Sequence, residues 1–401
     1  MEYSKIGDIC LKVCSGGTPT SSNPNYYNGG IPWLNTNEVN FCNIYSTNKT
    51  ISQEGLNHSA AKYIPANTVI VAMYGVTAGR SAIAKIPLTT NQACCNLVID
   101  AAKADYRYVY YFLKQQSDNL NKLANGGAQQ NLNSLIIKKY KIALPDLDVQ
   151  HRIASILSTY DTLIENNTKR IRLLEKMAEN LYKEWFVRFR FPVHENVEME
   201  NGLPKGWKIS RIKDFGRIET GKTPSTKNTE FYGGKILFIK TPDMHDGFFV
   251  SSTEETLSDL GSKSQEKKLL PPNSIMVSCI GTGGVVAINS RQGHTNQQIN
   301  SIILSDLSDL EWLFMVCKEL KPTIELFGAT GATMTNLSKG KFEKLKVIEP
   351  PKSVRYLFHD KVQSAFKLMQ ELAKQNSILA RQRDLLLPRL MSGKLEVKVK
   401  A

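Results

Sequence analysis

The stretch IASILSTYDTLIENNTKRIRLLEKMAENLYKEW, residues 153–185, decides the fold, because its apolar residues recur at alternating steps of four and three. This spacing is a heptad repeat, and it predicts a long helix with one apolar seam. The predicted seam residues are Ile153, Leu157, Tyr160, Ile164, Asn167, Ile171, Leu174, Ala178, Leu181 and Trp185. At about 1.5 Å per residue, such a helix is a rod of roughly 55–60 Å. An apolar seam of this length needs a partner to cover it.

The same chain contains a second copy of the seam. Its residues are Phe358, Val362, Ala365, Met369, Leu372, Asn376, Leu379, Arg383, Leu386 and Leu390. Other motifs recur at the same distance: Asn131-Leu132 returns as Asn336-Leu337, which sets the repeat at 205 residues (336 − 131). A period this long indicates two homologous halves rather than a solenoid.

Two long helices related by an internal duplication most simply pair antiparallel, about a pseudo-twofold axis, with one domain at each end. The polar seam residues Asn167 and Arg383 are expected to fix the register of this pair at some cost in stability. An alternative stays open at this point, in which each helix packs on the domain that precedes it.

The repeat divides the chain into six segments. They are a first domain at 1–146, a central long helix at 147–190, a linker at 191–206, a second domain at 207–350, a C-terminal long helix at 351–393 and a tail at 394–401. Each domain combines short strand-like runs with one helix, near 105–124 in the first and 308–320 in the second. The predicted fold class is α+β: two homologous mixed α/β domains separated by a pair of long antiparallel coiled-coil helices.

The composition favours a soluble protein with a polyanionic partner. The formal net charge is +14, although many soluble proteins are basic without binding nucleic acid. A doubled surface suits a partner that is itself extended, and double-stranded DNA meets both requirements. The seven cysteines have no metal-site spacing and are expected to be buried, reduced thiols. Neither a signal peptide nor a transmembrane segment is predicted, so we expect a cytoplasmic protein without a membrane partner.

Three motifs imitate nucleotide-binding or catalytic loops without the context that the chemistry requires. Gly216-Arg-Ile-Glu-Thr-Gly-Lys-Thr223 fits the phosphate-binding pattern GxxxxGK[ST], but Pro224 and a loop follow where a helix should begin. Asp214-Phe-Gly has no catalytic loop or paired lysine near it. Gly281-Thr-Gly-Gly284 lies between two strand-like runs and predicts a hairpin turn. We therefore predict no catalytic residue, no metal site and no cofactor bound by this chain.

The two halves differ mainly in their loops, which carry hydroxyl, amide and basic side chains. Arg and Lys pair with guanine and Asn and Gln with adenine in the major groove, while other lysines contact phosphates. For any single residue, a solvated loop position is the plainer interpretation. The DNA-binding candidates of the first half are Thr20, Ser22, Asn35, Asn37, Tyr74, Arg80, Asn91, Gln92, Gln129 and Gln130. Those of the second half are Lys222, Ser225, Lys227, Lys240, Arg291, Gln292, His294, Asn296, Thr335 and Asn336.

These features together resemble one known family, the specificity subunits of type I restriction–modification systems. The motifs that carry the resemblance are Gly221-Lys-Thr-Pro-Ser with Phe231-Tyr-Gly-Gly, Ala128-Gln-Gln-Asn-Leu-Asn with Ile142-Ala-Leu-Pro and Gln150, Leu181-Tyr-Lys-Glu-Trp-Phe-Val-Arg-Phe, and Arg383-Asp-Leu-Leu-Leu-Pro-Arg-Leu-Met-Ser-Gly-Lys-Leu. The resemblance covers essentially all 401 residues in the expected order. The second half departs from the pattern at Ala332-Thr-Met-Thr-Asn, which lacks the glutamines.

The resemblance implies a non-catalytic, sequence-specific DNA-binding subunit. Each domain would read one half of a bipartite, asymmetric target, while the helix pair sets the spacing and docks two modification (methyltransferase) subunits. Restriction subunits would join the full complex. S-adenosylmethionine, ATP and Mg are implied for these partners and not for this chain.

Two other functions stay open on the sequence alone. The first is an enzyme, either a P-loop ATPase or a self-sufficient adenine methyltransferase, which would bind ATP or S-adenosylmethionine by itself. The missing motifs argue against it. The second is a coiled-coil adaptor that joins two protein-binding domains and has no affinity for DNA. Steep salt dependence of DNA binding would argue against that one.

Overall fold

The structure is a computed structural model that describes residues 2–125, 132–245, 247–328 and 335–398. It forms two compact units: unit 1 is Met1–Thr162 with Leu379–Ala401, and unit 2 is Leu163–Ile378. Each unit contains one of the two repeated domains and a part of both long helices. The sequence predicts the long helices as separate segments, whereas in the structure each helix contributes residues to both units.

The first domain, in unit 1, is built of short strands and four short helices. Its strands are β1 (Glu2–Lys5), β2 (Cys10–Ser15), β3 (Tyr27–Leu34), β4 (Asn43–Ile44), β5 (Lys49–Ile51), β6 (Val69–Ala72), β7 (Ser81–Ala84), β8 (Thr89–Thr90), β9 (Cys94–Ile99) and β10 (Lys141–Leu144). Its helices are α1 (Gln53–Asn57), α2 (Tyr106–Gln115), α3 (Ser117–Asn125) and α4 (Ser134–Lys139). The long helix α5 (Leu147–Tyr182) follows β10 after a two-residue turn.

Two sheets form the body of this domain. A five-stranded sheet has the order β2-β9-β6-β7-β4, and a three-stranded sheet has the order β5-β3-β8. The pairs are antiparallel except for β4 with β7 and β3 with β8. The central strands β6 and β7 are buried at every residue, which explains why they lack the alternation of half-exposed strands. Strand β1 pairs with β10, directly before the long helix.

The helix predicted near 105–124 is two helices, α2 and α3. The buried Asp105 caps α2, because its carboxylate accepts hydrogen bonds from the backbone nitrogens of Arg107 (2.7 Å) and Tyr108 (3.4 Å). The chain turns at Gln116, whose φ and ψ are −90° and 4°, and α3 begins at the next residue. Tyr108 and Leu113 of α2 are fully buried in a core that also contains strand β9 and the start of α5.

The second domain, in unit 2, repeats this plan. Its strands are β11 (Met199–Glu200), β12 (Leu203–Pro204), β13 (Lys208–Arg211), β14 (Gly216–Thr220), β15 (Tyr232–Ile239), β16 (Phe249–Val250), β17 (Thr256–Leu257), β18 (Ile275–Ser278), β19 (Ile280–Gly281), β20 (Val286–Asn289), β21 (Gly293–Thr295), β22 (Ile299–Leu304), β23 (Thr335–Asn336) and β24 (Lys346–Glu349). Its helices are α6 (Asp259–Lys263), α7 (Leu310–Glu319), α8 (Lys321–Gly328) and α9 (Lys339–Glu343), and the long helix α10 (Lys352–Met391) follows.

The sheet orders of the second domain match those of the first. The five-stranded sheet runs β14-β22-β18-β20-β16 and the three-stranded sheet runs β17-β15-β21. The parallel contacts also recur, here between β16 and β20 and between β15 and β21. Strands β18 and β20 form the antiparallel hairpin predicted around Gly281–Gly284. The sequence repeat is therefore a structural repeat, and the predicted α+β class with two homologous domains is confirmed.

The two long helices pair antiparallel within each unit. In unit 2, Asn167 donates to Gln375 at 3.4 Å, and the ring of Trp185 lies 5.8 Å from that of Phe358. Residue numbers rise along α5 as they fall along α10, so the two helices run in opposite directions. In unit 1, Arg383 of α10 forms an ion pair with Asp161 of α5. Every predicted seam residue is buried or half-buried.

Three further features of the helices refine the prediction. A π-helical turn, Lys183–Val187, continues α5, and α10 contains Pro388 near its C-terminal end. The alternative in which each helix packs on its own domain also holds in part, because Ile153 lies in the core of unit 1 and Phe358 in that of unit 2. Within the described ranges, no helix combines the length and the apolar character needed to cross a bilayer.

All seven cysteine thiols are free, and Cys94, Cys95, Cys279 and Cys317 are buried. Burial raises the pKa of Cys94 to about 12 and that of Cys279 to about 11. These thiols stay protonated at neutral pH, so they behave as small apolar side chains rather than as nucleophiles or metal ligands.

Candidate nucleic-acid interface

The motifs shared by both halves form the scaffold that holds the loops. Thr223 donates to the side-chain oxygen of Gln297 at 2.7 Å, and Thr18 makes the same bond to Gln92 in the first domain. The hydroxyls of Tyr27 and Tyr232 donate to the carbonyl oxygens of Pro19 (2.6 Å) and Pro224 (2.8 Å). The repeated residues therefore tie down both ends of one loop in each domain. Gln92, although exposed, has this structural role.

The same scaffold explains why the phosphate-loop motif is a coincidence. A Cβ atom on Gly221 would lie 2.2 Å from the carbonyl oxygen of Asn296, so this glycine is required for close packing of two chain segments. The backbone nitrogen of Lys222 donates to the carbonyl oxygen of Thr295 at 2.9 Å and is not free to bind phosphate. The structure has a loop and a short 3-10 turn at 229–231 where a phosphate-binding helix would begin.

The first pair of loops, residues 20–25 and 225–230, presents different side chains on equivalent backbones. Thr20 and Ser22 are exposed in the first domain, and Ser225 and Lys227 are exposed in the second. Each loop leads into a short 3-10 turn, Pro24–Tyr26 or Thr229–Phe231. These four residues have the accessibility that the DNA-binding prediction requires.

The second pair of loops begins at Asn35 and Lys240. The backbone nitrogen of Asn35 donates to Glu38 at 3.0 Å, and that of Lys240 donates to Asp243 at 2.8 Å. Asn37 is exposed. Asn35 is half-buried and accepts a bond from the Asn91 side chain at 3.0 Å. Asn91 therefore orders this loop rather than projecting from it.

The Lys240 side chain is committed to a contact of its own. It forms an ion pair with Glu255 and keeps 34% of its side chain exposed. Like Asn35, it therefore already has a side-chain partner within the domain.

The hairpin between β6 and β7 carries two exposed apolar or aromatic side chains near its tip. Tyr74 is 39% exposed and Val76 is 90% exposed at the tip. Arg80, at its base, donates to Asn40 at 2.8 Å, which orients the guanidinium group. The sequence singled out Tyr74 and Arg80 but missed Val76 and Asn40. An apolar residue between Gly75 and Thr77 at a turn was the only available signal for Val76.

Two candidates of the second domain need correction, because they are buried. His294 has 0% exposure, its Nε2 lies 2.8 Å from the Ser262 hydroxyl, and burial lowers its pKa to about 4. Asn296 is 8% exposed and donates to Gln298 at 3.1 Å. Both are interior residues of the scaffold, so neither side chain is accessible to a DNA molecule at the surface.

Four of the remaining candidates of the second domain are exposed. Lys222, Gln292 and Asn336 are exposed. Arg291 is exposed and donates to the carbonyl oxygen of Lys235 at 2.9 Å. Thr335 lies on β23, which pairs with β19. Gln129 and Gln130 lie outside the described residues.

The helix pair carries a second apolar stripe beside the covered seam. In unit 2 its exposed members, which we call the outer stripe, are Leu163, Leu173, Met177, Leu357, Leu368 and Ile378. Each stands one position before a seam residue. Leu173 is 69% exposed and lines a shallow groove with Met177, Leu181 and Lys361. In unit 1, Leu385 occupies the same kind of position and is 62% exposed. Long exposed apolar stripes on soluble proteins mark binding surfaces.

The exposed loops offer hydrogen-bonding groups and positive charge. Among the described residues, no cluster of His, Cys, Asp or Glu could hold a metal ion. Exposed amide, hydroxyl and basic side chains on paired loops suit the recognition of base edges and phosphates.

Comparison with known proteins gives a consistent result along the whole chain. A family model described as the type I restriction modification DNA specificity domain matches residues 1–176 and 204–383. The chain is 34% identical over 321 residues to the type I restriction enzyme HindI specificity subunit of Haemophilus influenzae, which covers 65% of this chain and 70% of that protein. It is 29% identical over 409 residues to the MjaIX specificity subunit of Methanocaldococcus jannaschii, covering 99% and 94%.

A solved structure shares the fold. The crystal structure of a type I restriction–modification S subunit from M. genitalium aligns with 97% of this chain and 95% of that one. The TM-score is 0.60 at 16% sequence identity.

Proposed function

This chain belongs to the family of type I restriction–modification DNA specificity subunits, and on that premise we propose that it reads a bipartite DNA target, one half-site with each domain. Specificity subunits recognise the DNA target, and their methyltransferase and restriction partners are the catalytic components. The finer proposal concerns how this chain divides the recognition between its halves.

One observation carries the bipartite proposal. The two domains have the same strand order and the same loop-anchoring hydrogen bonds, but the exposed loop residues differ, as Ser22 and Lys227 do. Two domains that read the same sequence would be expected to present the same exposed loop side chains. Two equivalent frames with different exposed side chains are expected to read two different sequences, which makes the whole target asymmetric.

The proposed contacts combine base edges and phosphates. Arg80 and Asn37 in the first domain, and Lys227 in the second, would contact bases in the major groove or the phosphates beside it. The antiparallel helices would hold the two domains on one face of the duplex. One turn of DNA is about 34 Å, so we propose half-sites roughly a turn apart with unread base pairs between them.

Exchange of one domain tests this proposal. Residues 1–146 are replaced by those of a relative, the chain is expressed with its methyltransferase, and methylated sites are mapped across a genome. Only one half of the recognised sequence should change, and exchange of residues 207–350 should change only the other half. A single uninterrupted target, or a change in both halves, would refute the bipartite proposal.

We further propose that the outer stripe docks two methyltransferase subunits. Leu163 and Leu368 are repeat-equivalent, as are Leu173 and Ile378, so the same apolar feature occurs once on each helix. A doubled apolar surface suits two copies of one partner. S-adenosylmethionine, ATP and Mg would then be bound by the methyltransferase and restriction subunits and not by this chain.

The stoichiometry can be tested by native mass spectrometry of the assembled complex. Leu173→Asp should lose one methyltransferase copy and Ile378→Asp the other, whereas Gln363→Asp, at an exposed helix position outside the stripe, should lose none. Retention of both copies by the first two variants would place the docking surface elsewhere.

The adaptor alternative predicts a different outcome. An adaptor without DNA affinity would show no DNA binding even with methyltransferase present, whereas a specificity subunit shows binding that weakens steeply with salt.

A further inference from the structure

The contacts along the helix seam differ at positions that the internal repeat makes equivalent. In unit 1, Arg383 forms an ion pair with Asp161, and the Tyr111 hydroxyl donates to the same carboxylate at 2.5 Å. The Arg383 and Asp161 side chains are only 13% and 20% exposed. This is a largely buried, charged contact between the first and second halves of the chain.

The repeat-equivalent contact in unit 2 is apolar. Position 161 corresponds to Phe366 and position 383 to Ala178, which are 2% and 0% exposed. The Phe366 ring lies 5.6 Å from that of Phe248 and 6.0 Å from that of Phe314. Both residues belong to the apolar core of unit 2, so an aromatic and a small apolar side chain stand at the positions that the ion pair occupies in unit 1.

A second contrast occurs nearer the middle of the seam. Asn167 donates to Gln375 at 3.4 Å, and Asn376 donates to Thr168 at 3.3 Å, so amides meet polar partners. The equivalents of Asn167 and Asn376 are Leu372, which is 3% exposed, and Ile171, which packs against the apolar core of unit 2. Polar residues therefore meet polar ones, and apolar residues meet apolar ones.

A third contrast concerns size. In unit 2, Trp185 packs on Phe358, with ring centroids 5.8 Å apart. The equivalents in unit 1 are Leu390 and Ile153, which share one apolar core. Two large aromatic residues meet in one unit, and two aliphatic residues meet in the other.

We infer that the seam is a selective interface, through which the first half of this chain accepts the second half and rejects another copy of itself. In an antiparallel pair of two first halves, Asp161 would face Ala178, Asn167 would face Ile171 and Trp185 would face Ile153. In a pair of two second halves, Arg383 would face Phe366. Every one of these contacts mismatches charge, polarity or size.

Each mismatch disfavours self-pairing by a known physical route. A largely buried charge that loses its partner is costly, an amide against an aliphatic side chain loses its hydrogen bond, and an indole in a space shaped for leucine overpacks. Selectivity arises from the wrong partners being penalised as well as the right one being stabilised. Together these routes give a preference of at least about 100-fold for mixed pairs.

The test uses the full chain, cut at one point. A protease site is inserted in the exposed turn at Asn201 and Gly202, and the purified chain is cleaved, unfolded in urea and refolded. Native mass spectrometry then separates mixed pairs from the two kinds of self-pair, because the halves differ in mass. Equal stability of all pairings would leave about half of the pairs mixed. We expect the wild-type halves to return almost entirely as mixed pairs.

A variant with a symmetrical contact makes the test specific to the seam. The substitutions Tyr111→Phe, Asp161→Phe and Arg383→Ala give unit 1 the Phe–Ala contact of unit 2, so self-pairs become acceptable at this position. Their fraction should rise about 10-fold or more, with a further rise on adding Asn167→Leu and Asn376→Ile. The control Asp384→Ala removes only the exposed partner of Arg383 and should behave as wild type.

Two results would overturn the inference. One is wild-type halves that return in statistical proportions, and the other is a symmetrical variant that returns as purely mixed pairs. Melting of the intact chain gives an independent measurement. Asp161→Ala and Arg383→Ala should each lower the melting temperature, and their combination should lower it by less than the sum of the two shifts. Additive shifts would show that the ion pair contributes no selectivity.

Discussion

Leu173 and Leu174 are adjacent in α5, but the structure gives them opposite roles. Leu174 packs against the apolar core of unit 2, whereas Leu173 is 69% exposed on the outer stripe. We predict that Leu174→Asp destabilises the helix pair of unit 2 and that Leu173→Asp leaves its stability unchanged. The two variants have the same composition and charge, so any difference between them reports position alone.

The magnitude follows from burial. Complete burial of a leucine side chain stabilises a protein by about 1.5–3 kcal/mol, and Leu174 is half-buried, which places its loss near the lower end. A carboxylate without a partner adds about 1–3 kcal/mol or more, depending on how far it reaches into the core. The sum is about 3 kcal/mol, which for a unit of this size lowers the melting temperature by about 6–12 °C. Leu173→Asp is expected to stay within about 0.5 kcal/mol of wild type.

Thermal melting followed by circular dichroism measures both variants, and native mass spectrometry measures their methyltransferase content. Leu173→Asp should melt as wild type and lose one methyltransferase subunit. A melting temperature of Leu174→Asp within about 2 °C of wild type would show that the seam has been placed on the wrong residues. If Leu173→Asp melts early, the outer stripe is part of the interior.

Three other predictions follow from single sites. Burial lowers the pKa of His294 to about 4 from an ordinary 6.5. The unfolded chain therefore binds the proton first, and the free energy of unfolding falls as the pH drops from 6.5 towards 4. His294→Thr, which introduces the residue found at Thr89 in the first half, should remove up to about 3 kcal/mol of this pH dependence, as measured by urea titrations at pH 7 and pH 4.5. The Arg355 side chain is 8% exposed and forms ion pairs with Asp309 and Glu349. Arg355→Ala should destabilise the protein by about 3–5 kcal/mol, measured by thermal melting. The control Lys352→Ala, which breaks an exposed ion pair with Asp306, should leave the melting temperature unchanged. Lys227→Ala should weaken DNA binding of the complex equally on matched and mismatched targets and reduce the slope of log K against log salt by about 1, and a loss confined to one target sequence would instead make Lys227 a base-reading residue.

The sequence predicted the repeat and the helix pair because both depend on spacing alone. A heptad seam such as Ile164–Leu181 is visible without any knowledge of tertiary contacts. Its polar members, Asn167 and Arg383, both have polar partners across the pair, and their role in fixing the register stays a prediction. The hairpin at Gly281–Gly284 was predictable for the same reason, because glycines between two strands are a local signal.

The errors lie where tertiary packing decides. His294 is polar and follows a turn, as a surface residue would, but Ser262 of a distant helix pairs with it in the interior. Asn91 and Gln92 recur in both halves because they anchor loops, and recurrence alone cannot separate an anchor from a reading residue. The helix near 105–124 breaks at Gln116, where the sequence has no proline or glycine to signal a boundary.

The outer stripe was missed for a different reason. Leu173 and Ile378 each precede a seam residue. The spacing of the apolar residues alone does not show that these two lie on a separate, exposed face of their helix. Only the relative exposure of Leu173 and Leu174 separates the two faces. A helix whose apolar residues exceed what one seam needs is therefore worth testing for a second partner.

The division between anchors and exposed side chains also explains how one frame can serve two different readings. The bonds from Thr18 to Gln92 and from Thr223 to Gln297 close their loops from within the scaffold, and they do not involve the side chains at positions 20–22 or 225–227. Changes at those exposed positions therefore cost little stability, because no buried contact depends on them. The exposed positions of each loop can therefore change without loss of a buried contact. On the proposed bipartite function, such a change would give a new half-target without refolding the domain.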